Sequence, residues 1–194
     1  MTIVLEDRFD AALAAHRATV DSLAGLRTPI VAAARAIVER MAAGGGLFWV
    51  GNGGSAADSQ HLAAELVGRF EGVDRPGRRS VSLTTDTSVL TSVANDLGFD
   101  RVFTRQVEAL CRPGDVLLAL STSGRSPSVV AAVRAGIAGG VLTVALSGGD
   151  GGPLAEASDL AVTVPGHSPA RIQEAHILIG HFICEAIHEG LSGD

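Results

Sequence analysis

The residues best suited to chemistry begin in one early stretch, where a glycine-rich turn leads into a helical pattern. The turn reads Gly51-Asn52-Gly53-Gly54-Ser55, and it follows a short apolar run, Leu47 to Val50, that predicts a buried strand. The free backbone N–H groups at the start of a helix attract anions, phosphate above all. The stretch therefore predicts a phosphate-binding loop between a strand and a helix.

Two ionisable side chains lie one turn apart on the predicted helix. Its apolar residues Leu62, Leu66 and Phe70 are four apart, which is typical of a helix. His61 and Glu65 have the same spacing, so both side chains project from one face. An imidazole and a carboxylate at this spacing can form an acid/base pair or half of a metal site.

A dinucleotide-binding loop is the alternative interpretation of the glycines. Gly51, Gly53 and Ala56 formally match the fingerprint G-x-G-x-x-G/A. That fingerprint also requires an acidic residue about 20 positions later, at the end of the second strand. Glu71 and Asp74 have nearly this spacing, but they precede the next predicted strand. The pattern therefore favours a phosphate group, and no nucleotide cofactor is expected.

A second loop with phosphate-binding character follows another predicted strand. It reads Ser121-Thr122-Ser123-Gly124-Arg125-Ser126-Pro127, and Pro127 suits the first turn of a helix. Hydroxyls and free N–H groups can together bind the oxygens of a phosphate without a cation. An ordinary helix cap would need only one of these serines. Two such loops in one chain favour a bound sugar phosphate.

Composition excludes several classes of protein. The 194 residues carry a net charge of −6 and no basic stripe, which argues against direct nucleic-acid binding. No apolar run approaches the roughly 20 residues that span a bilayer, and residues 1–20 lack the pattern of a secretory signal. Cys111 and Cys184 belong to no metal-binding or disulfide pattern. We expect a cytoplasmic protein with no membrane or nucleic-acid partner.

Strand and helix patterns alternate behind an N-terminal helical pair. The pair, helices 4–24 and 28–43 within residues 1–44, has wide apolar faces that suggest packing on a neighbouring subunit. Residues 45–194 then predict an α/β core, a doubly wound parallel sheet flanked by helices, and the whole chain forms one domain. Besides 47–50, the predicted elements are strands 79–83, 115–120, 141–146 and 159–164, and helices 55–70, 88–111 (broken near Gly98), 127–138 and 169–191. Both polar loops then lie at the carboxyl ends of strands, where such sheets bind ligands.

Two histidines of the helical segments have apolar neighbours. His181 lies among Ile177, Leu178 and Phe182 in the last predicted helix. His16 lies on the apolar stripe of the first helix. The pattern alone favours a core or interface role over catalysis for each.

The motifs taken together resemble a known family. They are Gly51-Asn52-Gly53-Gly54-Ser55, His61-x-x-x-Glu65, Asn95-Asp96, Ser121-Thr122-Ser123-Gly124-x-Ser126 and Arg171-Ile172-Gln173-Glu174-x-His176 with His181. This combination is similar to that of the phosphoheptose isomerases of the sugar-isomerase (SIS) domain family, over nearly the whole chain. The resemblance implies a flavodoxin-like fold and interconversion of D-sedoheptulose 7-phosphate and D-glycero-D-manno-heptose 7-phosphate. It also implies a homotetramer whose sites lie between subunits.

The resemblance further implies a role for each matching residue. Glu65 and His181 match the acid/base pair, and they match zinc ligands together with His61 and Gln173. The positions that match substrate-binding residues are Asn52, Gly53, Gly54, Ser55, Glu65, Asn95, Asp96, Ser121, Thr122, Ser123, Ser126 and Gln173. On one straight helix, however, Gln173 and His181 are about 12 Å apart along the axis and about 80° apart around it. Either their side chains reach towards each other or neighbouring subunits contribute them separately.

Two other functions compete with the isomerase. Bacterial tetrameric adaptors with the same fold and similar loops bind the replication initiator protein, but they lack a histidine matching His181. An isomerase or regulator for another sugar phosphate is the second alternative. Amino-sugar enzymes of the superfamily usually carry an additional domain, which makes a single-domain chain a poor match.

Overall fold

The computed structural model describes residues 4–70 and 76–191, and these residues form a five-stranded parallel sheet between two helical layers. The strands are β1 (Leu47–Gly51), β2 (Ser80–Ser82), β3 (Val116–Ser121), β4 (Leu142–Gly148) and β5 (Leu160–Val164). The helices are α1 (Leu5–Ser22), α2 (Arg27–Ala42), α3 (Gly54–Val67), α4 (Thr87–Leu97), α5 (Thr104–Leu110), α6 (Pro127–Ala138), α7 (Gly152–Ala157) and α8 (Pro169–Gly190). Short 3₁₀ turns occupy Leu23–Leu26 and Phe99–Arg101. The predicted α/β class is confirmed.

The strand order is β2-β1-β3-β4-β5, with parallel pairing throughout. After β1 the chain runs to one side of the sheet, and it returns to the other side of β1 to form β3. Such a switch point opens a crevice at the carboxyl ends of the two strands, and this order is that of flavodoxin-like sheets. The two polar loops, after β1 and after β3, therefore border the same crevice.

Two apolar cores cover the two faces of the sheet. On one face, Trp49 and its neighbours pack against α2, α3 and α8. On the other, Phe48 and Val50 pack against α5, α6 and α7. Strands buried on both faces need near-continuous apolar sequence, and all residues of β1 and β3 are buried.

The helix α7 is missing from the sequence-based prediction, which passes directly from β4 to β5. Six residues are too few to show helical periodicity, and the glycines before them indicate only a turn. The backbone N–H of Leu154 in α7 donates to the carbonyl oxygen of Gly124 at 2.9 Å. This contact with the loop after β3 is tertiary, so local sequence does not reveal it. The bounds of β4 also differ slightly from the predicted 141–146.

The two N-terminal helices, α1 and α2, differ in how many of their side chains are buried. One face of α2 packs on its own sheet, with Ala33, Ala34 and Ile37 buried. In contrast, α1 buries no residue against the described part of the chain, and Phe9 is 68% exposed. The large exposed apolar side chains of this helical pair therefore lie on α1, and the packing of the pair on a neighbouring subunit stays a prediction.

Two of the sequence-based expectations concern membrane spans and the acidic residues of a dinucleotide site. Within residues 4–70 and 76–191, no helix is both long and apolar enough to cross a membrane. Glu71 and Asp74, the acidic residues of the dinucleotide alternative, lie outside the described residues.

Candidate active site

Two parallel helices, α3 and α8, position the ionisable residues. Gly180 of α8 lies against Leu62, since a Cβ at Gly180 would be 2.4 Å from Leu62 Cδ1. Further along, the Cys184 thiol donates to the carbonyl oxygen of Leu62 at 3.8 Å, and His188 Nε2 donates to that of Glu65 at 3.3 Å. The close approach at Gly180 lets side chains on both helices meet beside it.

His61, Glu65 and His181 converge on the outer side of this helix pair. Their ligand atoms all lie within 4.8 Å of one another. His61 Nε2 is 2.9 Å from His181 Nε2 and 3.4 Å from Glu65 Oε1. His61 is exposed and the other two are partly buried, so the cluster is open to a small molecule. The structure thus places His181 in a polar cluster, although its apolar neighbours in sequence favour a core residue.

This donor set suits a zinc ion. Two imidazole nitrogens and one carboxylate oxygen are the ligands of many catalytic zinc sites, which keep one position open. Two facing imidazole nitrogens at 2.9 Å also cannot both carry a proton along the line that joins them, whereas both unprotonated nitrogens can bind one cation. The residues present therefore fit the ion that the resemblance implies.

Gln173 lies two turns before His181 on α8, and the structure places it at the start of α3. A Cβ at Gly54 would be 2.4 Å from both Nε2 and Oε1 of Gln173. Gln173 also lines a small cavity together with Asp58, which lies one turn after Gly54. Because α3 and α8 run in parallel, Gln173 faces the first turns of α3 while His181 faces His61. This arrangement follows the separation along α8 expected from helical geometry.

Asp58 is a residue of this neighbourhood that the sequence analysis missed. Burial raises the pKa of its carboxyl above the usual range, while the neighbouring Gln173 amide, His61 and His181 act in the opposite direction. Its spacing from His61 and Glu65, three and seven residues, places all three on one face of α3. That spacing is the signal that could have identified it.

The loops after β1 and β3 lie side by side at the switch point. Asn52 Nδ2 donates to Ser128 Oγ at 3.0 Å and so joins the first loop to the start of α6. In the second loop, Ser121 Oγ lies 3.2 Å from Ser126 Oγ, and Ser123 Oγ accepts from the backbone N–H of Arg125 at 3.2 Å. The N-termini of α3 and α6 thus open on one crevice, as a phosphate site requires.

Asn95 and Asp96 belong to a different helix, α4. Both are exposed near the end of α4, where Asn95 Nδ2 donates to Asp96 Oδ1 at 2.7 Å. Among the described residues, α4 has no fully buried side chain. Their role in substrate binding stays a prediction.

A family model and a curated relative show where the chain belongs. The SIS domain model matches residues 13–148. Over 185 residues the chain is 49% identical to the phosphoheptose isomerase of Roseiflexus sp. (strain RS-1), which covers 95% of this chain and 92% of the relative. This chain belongs to the phosphoheptose isomerases of the SIS domain family.

Other phosphoheptose isomerases agree with this assignment. The enzyme of Halorhodospira halophila is 50% identical over 180 residues, covering 91% of this chain and 90% of the relative. The solved structure of the phosphoheptose isomerase from Neisseria gonorrhoeae matches with a TM-score of 0.90 at 42% identity, covering 96% of this chain and 100% of the other. The SIS fold and the family predicted from the motifs are confirmed.

Proposed function

We propose that the protein is an aldose–ketose isomerase that converts D-sedoheptulose 7-phosphate into D-glycero-D-manno-heptose 7-phosphate, the first step of nucleotide-activated heptose synthesis. The observation that carries the proposal is the convergence of Glu65 and His181 beside His61. The chain that holds this cluster is about half identical to phosphoheptose isomerases. A ketose becomes an aldose when a proton moves between adjacent carbons through an enediol, which requires a positioned base and acid.

Glu65 and His181 divide the proton transfers. The Glu65 carboxylate takes the carbon-bound proton from one carbon and returns it to the adjacent one. His181 serves ring opening or the carbonyl oxygen, since an imidazole can both accept and donate a proton. Their position on a rigid helix pair keeps both groups in place without reorganisation during the reaction.

The proposal includes one zinc ion per subunit. His61, Glu65 and His181 would hold it, with Gln173 as a further oxygen donor. When bound, zinc supplies a Lewis acid that polarises the carbonyl oxygen of the sugar. Nothing in the proposal requires a nucleotide cofactor.

The two loops at the switch point hold the substrate and its phosphate. Backbone N–H groups of Gly53, Gly54 and Ser55 and the hydroxyls of the second loop can together surround phosphate oxygens. From Ser55 to His61 the distance along α3 is about 9 Å, and to Glu65 about 15 Å. An extended seven-carbon sugar phosphate suits a site with its phosphate end and its reacting carbons this far apart. The residues proposed to bind substrate are Asn52, Gly53, Gly54, Ser55, Glu65, Asn95, Asp96, Ser121, Thr122, Ser123, Ser126 and Gln173.

We further infer that the chain, as one SIS domain, assembles into a homotetramer with sites shared between subunits. The exposed apolar side chains of α1 support an interface, because Leu5 and Phe9 are 72% and 68% exposed. The position of Asn95 and Asp96 on an exposed helix suits a contribution to the site of a neighbouring subunit. A cytoplasmic location fits the substrate, since a charged sugar phosphate does not cross the membrane unaided.

Turnover of D-sedoheptulose 7-phosphate by the purified protein tests the proposal, with product followed by NMR and zinc added or removed by a chelator. Formation of the heptose phosphate, faster than any isomerisation of D-fructose 6-phosphate, is the expected result. Inactivity of folded protein with zinc present would contradict it and favour either an adaptor or an isomerase for another sugar phosphate.

A further inference from the structure

Phe70 contributes an aromatic ring beside the ionisable cluster. The chain leaves α3 at Gly68, and Phe70, two residues later, places its ring on α8. The centroid of this ring is 5.4 Å from that of His188, with the two rings nearly parallel at 16°, and 6.3 Å from that of His181. Both distances lie in the range of aromatic ring contacts. A side chain without any ionisable group thus contacts a member of the cluster directly.

The ring of Phe70 lies between two histidines of α8. His181 and His188 are seven residues apart, so their side chains project from one face of the helix, about 10.5 Å apart along its axis. Because Phe70 contacts both imidazoles, its ring fills the space between them. The side of His181 that faces the end of α8 is therefore occupied.

Phe70 is itself held by rigid neighbours. His188 is buried, and its Nε2 donates to the carbonyl oxygen of Glu65 at 3.3 Å. This hydrogen bond attaches the imidazole to the turn of α3 that carries Glu65. Phe70 stacks on this imidazole and also packs against the core that contains Trp49. The ring is thus fixed relative to both helices of the site.

The contact with Phe70 restricts the imidazole of His181. The location of His181 Nε2 depends on two side-chain torsions, and this atom lies 2.9 Å from His61 Nε2. The His61 ring meets the His181 ring edge-on, at 84° and 5.1 Å between centroids. A swing of His181 away from His61 and towards His188 would collide with Phe70.

We infer that Phe70 is a positioning residue, whose ring keeps Nε2 of His181 directed at His61 and Glu65. Holding a catalytic group in place matters because a displacement of about 1 Å can cost roughly 10²-fold in rate. The inference rests on the proposed function, since it takes His181 as an acid/base group and a zinc ligand.

The variants Phe70→Leu and Phe70→Tyr test this role in the full chain. Leucine keeps an apolar side chain but lacks the flat ring. For Phe70→Leu we expect kcat with D-sedoheptulose 7-phosphate to fall roughly 10–100-fold, while KM stays within about threefold of the wild type. Zinc affinity, measured without substrate by competition with a chromophoric chelator, should fall by a similar factor. Phe70→Tyr keeps the ring and should retain both values.

Two results with these variants would overturn the inference. One is a folded Phe70→Leu variant with the kcat and zinc affinity of the wild type. The other is an equal loss in Phe70→Leu and Phe70→Tyr, because the ring would then not be the feature that matters.

Phe48→Leu is the matched control for a general loss of packing. Phe48 is buried in the core on the opposite face of the sheet, so the same substitution there should lower the unfolding midpoint and leave kcat and zinc affinity unchanged. A loss of zinc affinity in Phe48→Leu as large as in Phe70→Leu would contradict a specific role for Phe70.

A double-mutant cycle tests whether Phe70 acts through His181. If it does, Phe70→Leu adds no further loss of zinc affinity to that of His181→Ala. Additive losses would show that Phe70 acts through another group, and the positioning of His181 would be refuted.

NMR of the wild-type protein tests the contact even if the Phe70→Leu variant folds poorly. With phenylalanine and histidine selectively labelled, ring protons of Phe70 and His181 should show cross-relaxation in the metal-free protein. Absence of this signal would overturn the inference.

The failure of the inference can be distinguished from that of the proposed function. Wild-type protein that binds zinc and isomerises the sugar, with Phe70→Leu unchanged in both, would overturn only the positioning role. Folded wild-type protein that binds no zinc and shows no turnover would overturn both.

Discussion

At the scale of single residues, the site combines groups of two kinds. Glu65 and His181 can move protons, while the hydroxyls and backbone N–H groups of the loops after β1 and β3 can bind an anion. Ser121 and Ser126 illustrate the second kind, since their hydroxyl oxygens lie 3.2 Å apart at the start of α6. The proposed proton transfers involve neither hydroxyl, so their effect should be on substrate binding.

The variant Ser126→Ala tests this division. It removes one hydroxyl from the predicted phosphate site, and one lost hydrogen bond to a charged group is worth about 1.5–3 kcal/mol. We expect KM for the sugar phosphate to rise roughly tenfold or more while kcat changes little. Inhibition by inorganic phosphate should weaken by a similar factor. A fall in kcat with unchanged KM would place Ser126 in the chemical step instead.

At the scale of elements, α8 is attached to the sheet through a buried imidazole. His176 is fully buried, and its Nε2 donates to the carbonyl oxygen of Ser147 in β4 at 3.0 Å. Its Nδ1 has no partner among the described residues. Burial lowers the pKa of His176 from 6.5 to about 4, because a proton on Nδ1 would be charged and unpaired.

This lowered pKa predicts how stability depends on pH. Between pH 6.5 and 4 the unfolded chain binds a proton at His176 and the folded chain does not. The contribution of neutral His176 to the free energy of unfolding is therefore fully present above pH 6.5. It is lost as the pH falls, by about 3 kcal/mol at pH 4. In the His176→Gln variant the amide can still donate to Ser147 but does not titrate. Chemical unfolding across this pH range should therefore show a smaller decrease in the free energy of unfolding for this variant than for the wild type. Equal pH slopes for the two proteins would contradict the assignment.

A second contact between elements joins α7 to the loop after β3. Gly124 has a φ of 63°, and a Cβ there would be 1.9 Å from the carbonyl oxygen of Gly151. Gly124→Ala should therefore lower the free energy of unfolding by about 1–3 kcal/mol or more, as measured by urea denaturation. Gly25→Ala is the matched control, because no atom lies within 4 Å of a Cβ at that position. Similar stability of the two variants would show that α7 is not docked on this loop.

The strands and α7 show which parts of the fold can be predicted from the sequence and which cannot. Strands such as β1 and β3 are predictable because both faces are buried, which demands consecutive apolar residues. In contrast, α7 is too short to show a helical periodicity of apolar residues. Its position depends on the hydrogen bond between Leu154 and Gly124, two residues that are far apart in the sequence. The family motifs name His61, Glu65, Gln173 and His181. Spacing alone does not reveal that Gln173 lies against Gly54 and Asp58, because that depends on α3 and α8 being parallel neighbours.

At the scale of the whole molecule, α1 is attached to the rest of the chain by polar contacts. His16 Nδ1 is 2.7 Å from Glu174 Oε2, and Arg171 Nη1 donates to the carbonyl oxygen of Ala12 at 2.9 Å. These contacts connect α1 to the start of α8, close to Gln173. The apolar side chains of Leu5 and Phe9 remain exposed, so a partner surface for α1 should come from a second copy of the chain.

The variant Phe9→Asp tests this assembly. A charge in an apolar interface is costly to bury, so the variant should sediment as a smaller species than the wild type. If sites are shared between subunits, isomerase activity should fall with dissociation and recover at high protein concentration. Phe9→Leu keeps the apolar surface and should retain the assembly. A wild type that sediments as a fully active monomer would contradict the shared site.

The most direct test of the whole account is kcat of the Glu65→Gln variant with D-sedoheptulose 7-phosphate. The change keeps the shape of the side chain and removes the carboxylate that we propose accepts the carbon-bound proton. We predict a fall of roughly 10²–10⁴-fold, the usual loss for a positioned acid or base, with an unfolding midpoint close to that of the wild type. A folded, zinc-loaded variant that turns over at the wild-type rate would contradict the claim that the cluster between α3 and α8 performs the isomerisation.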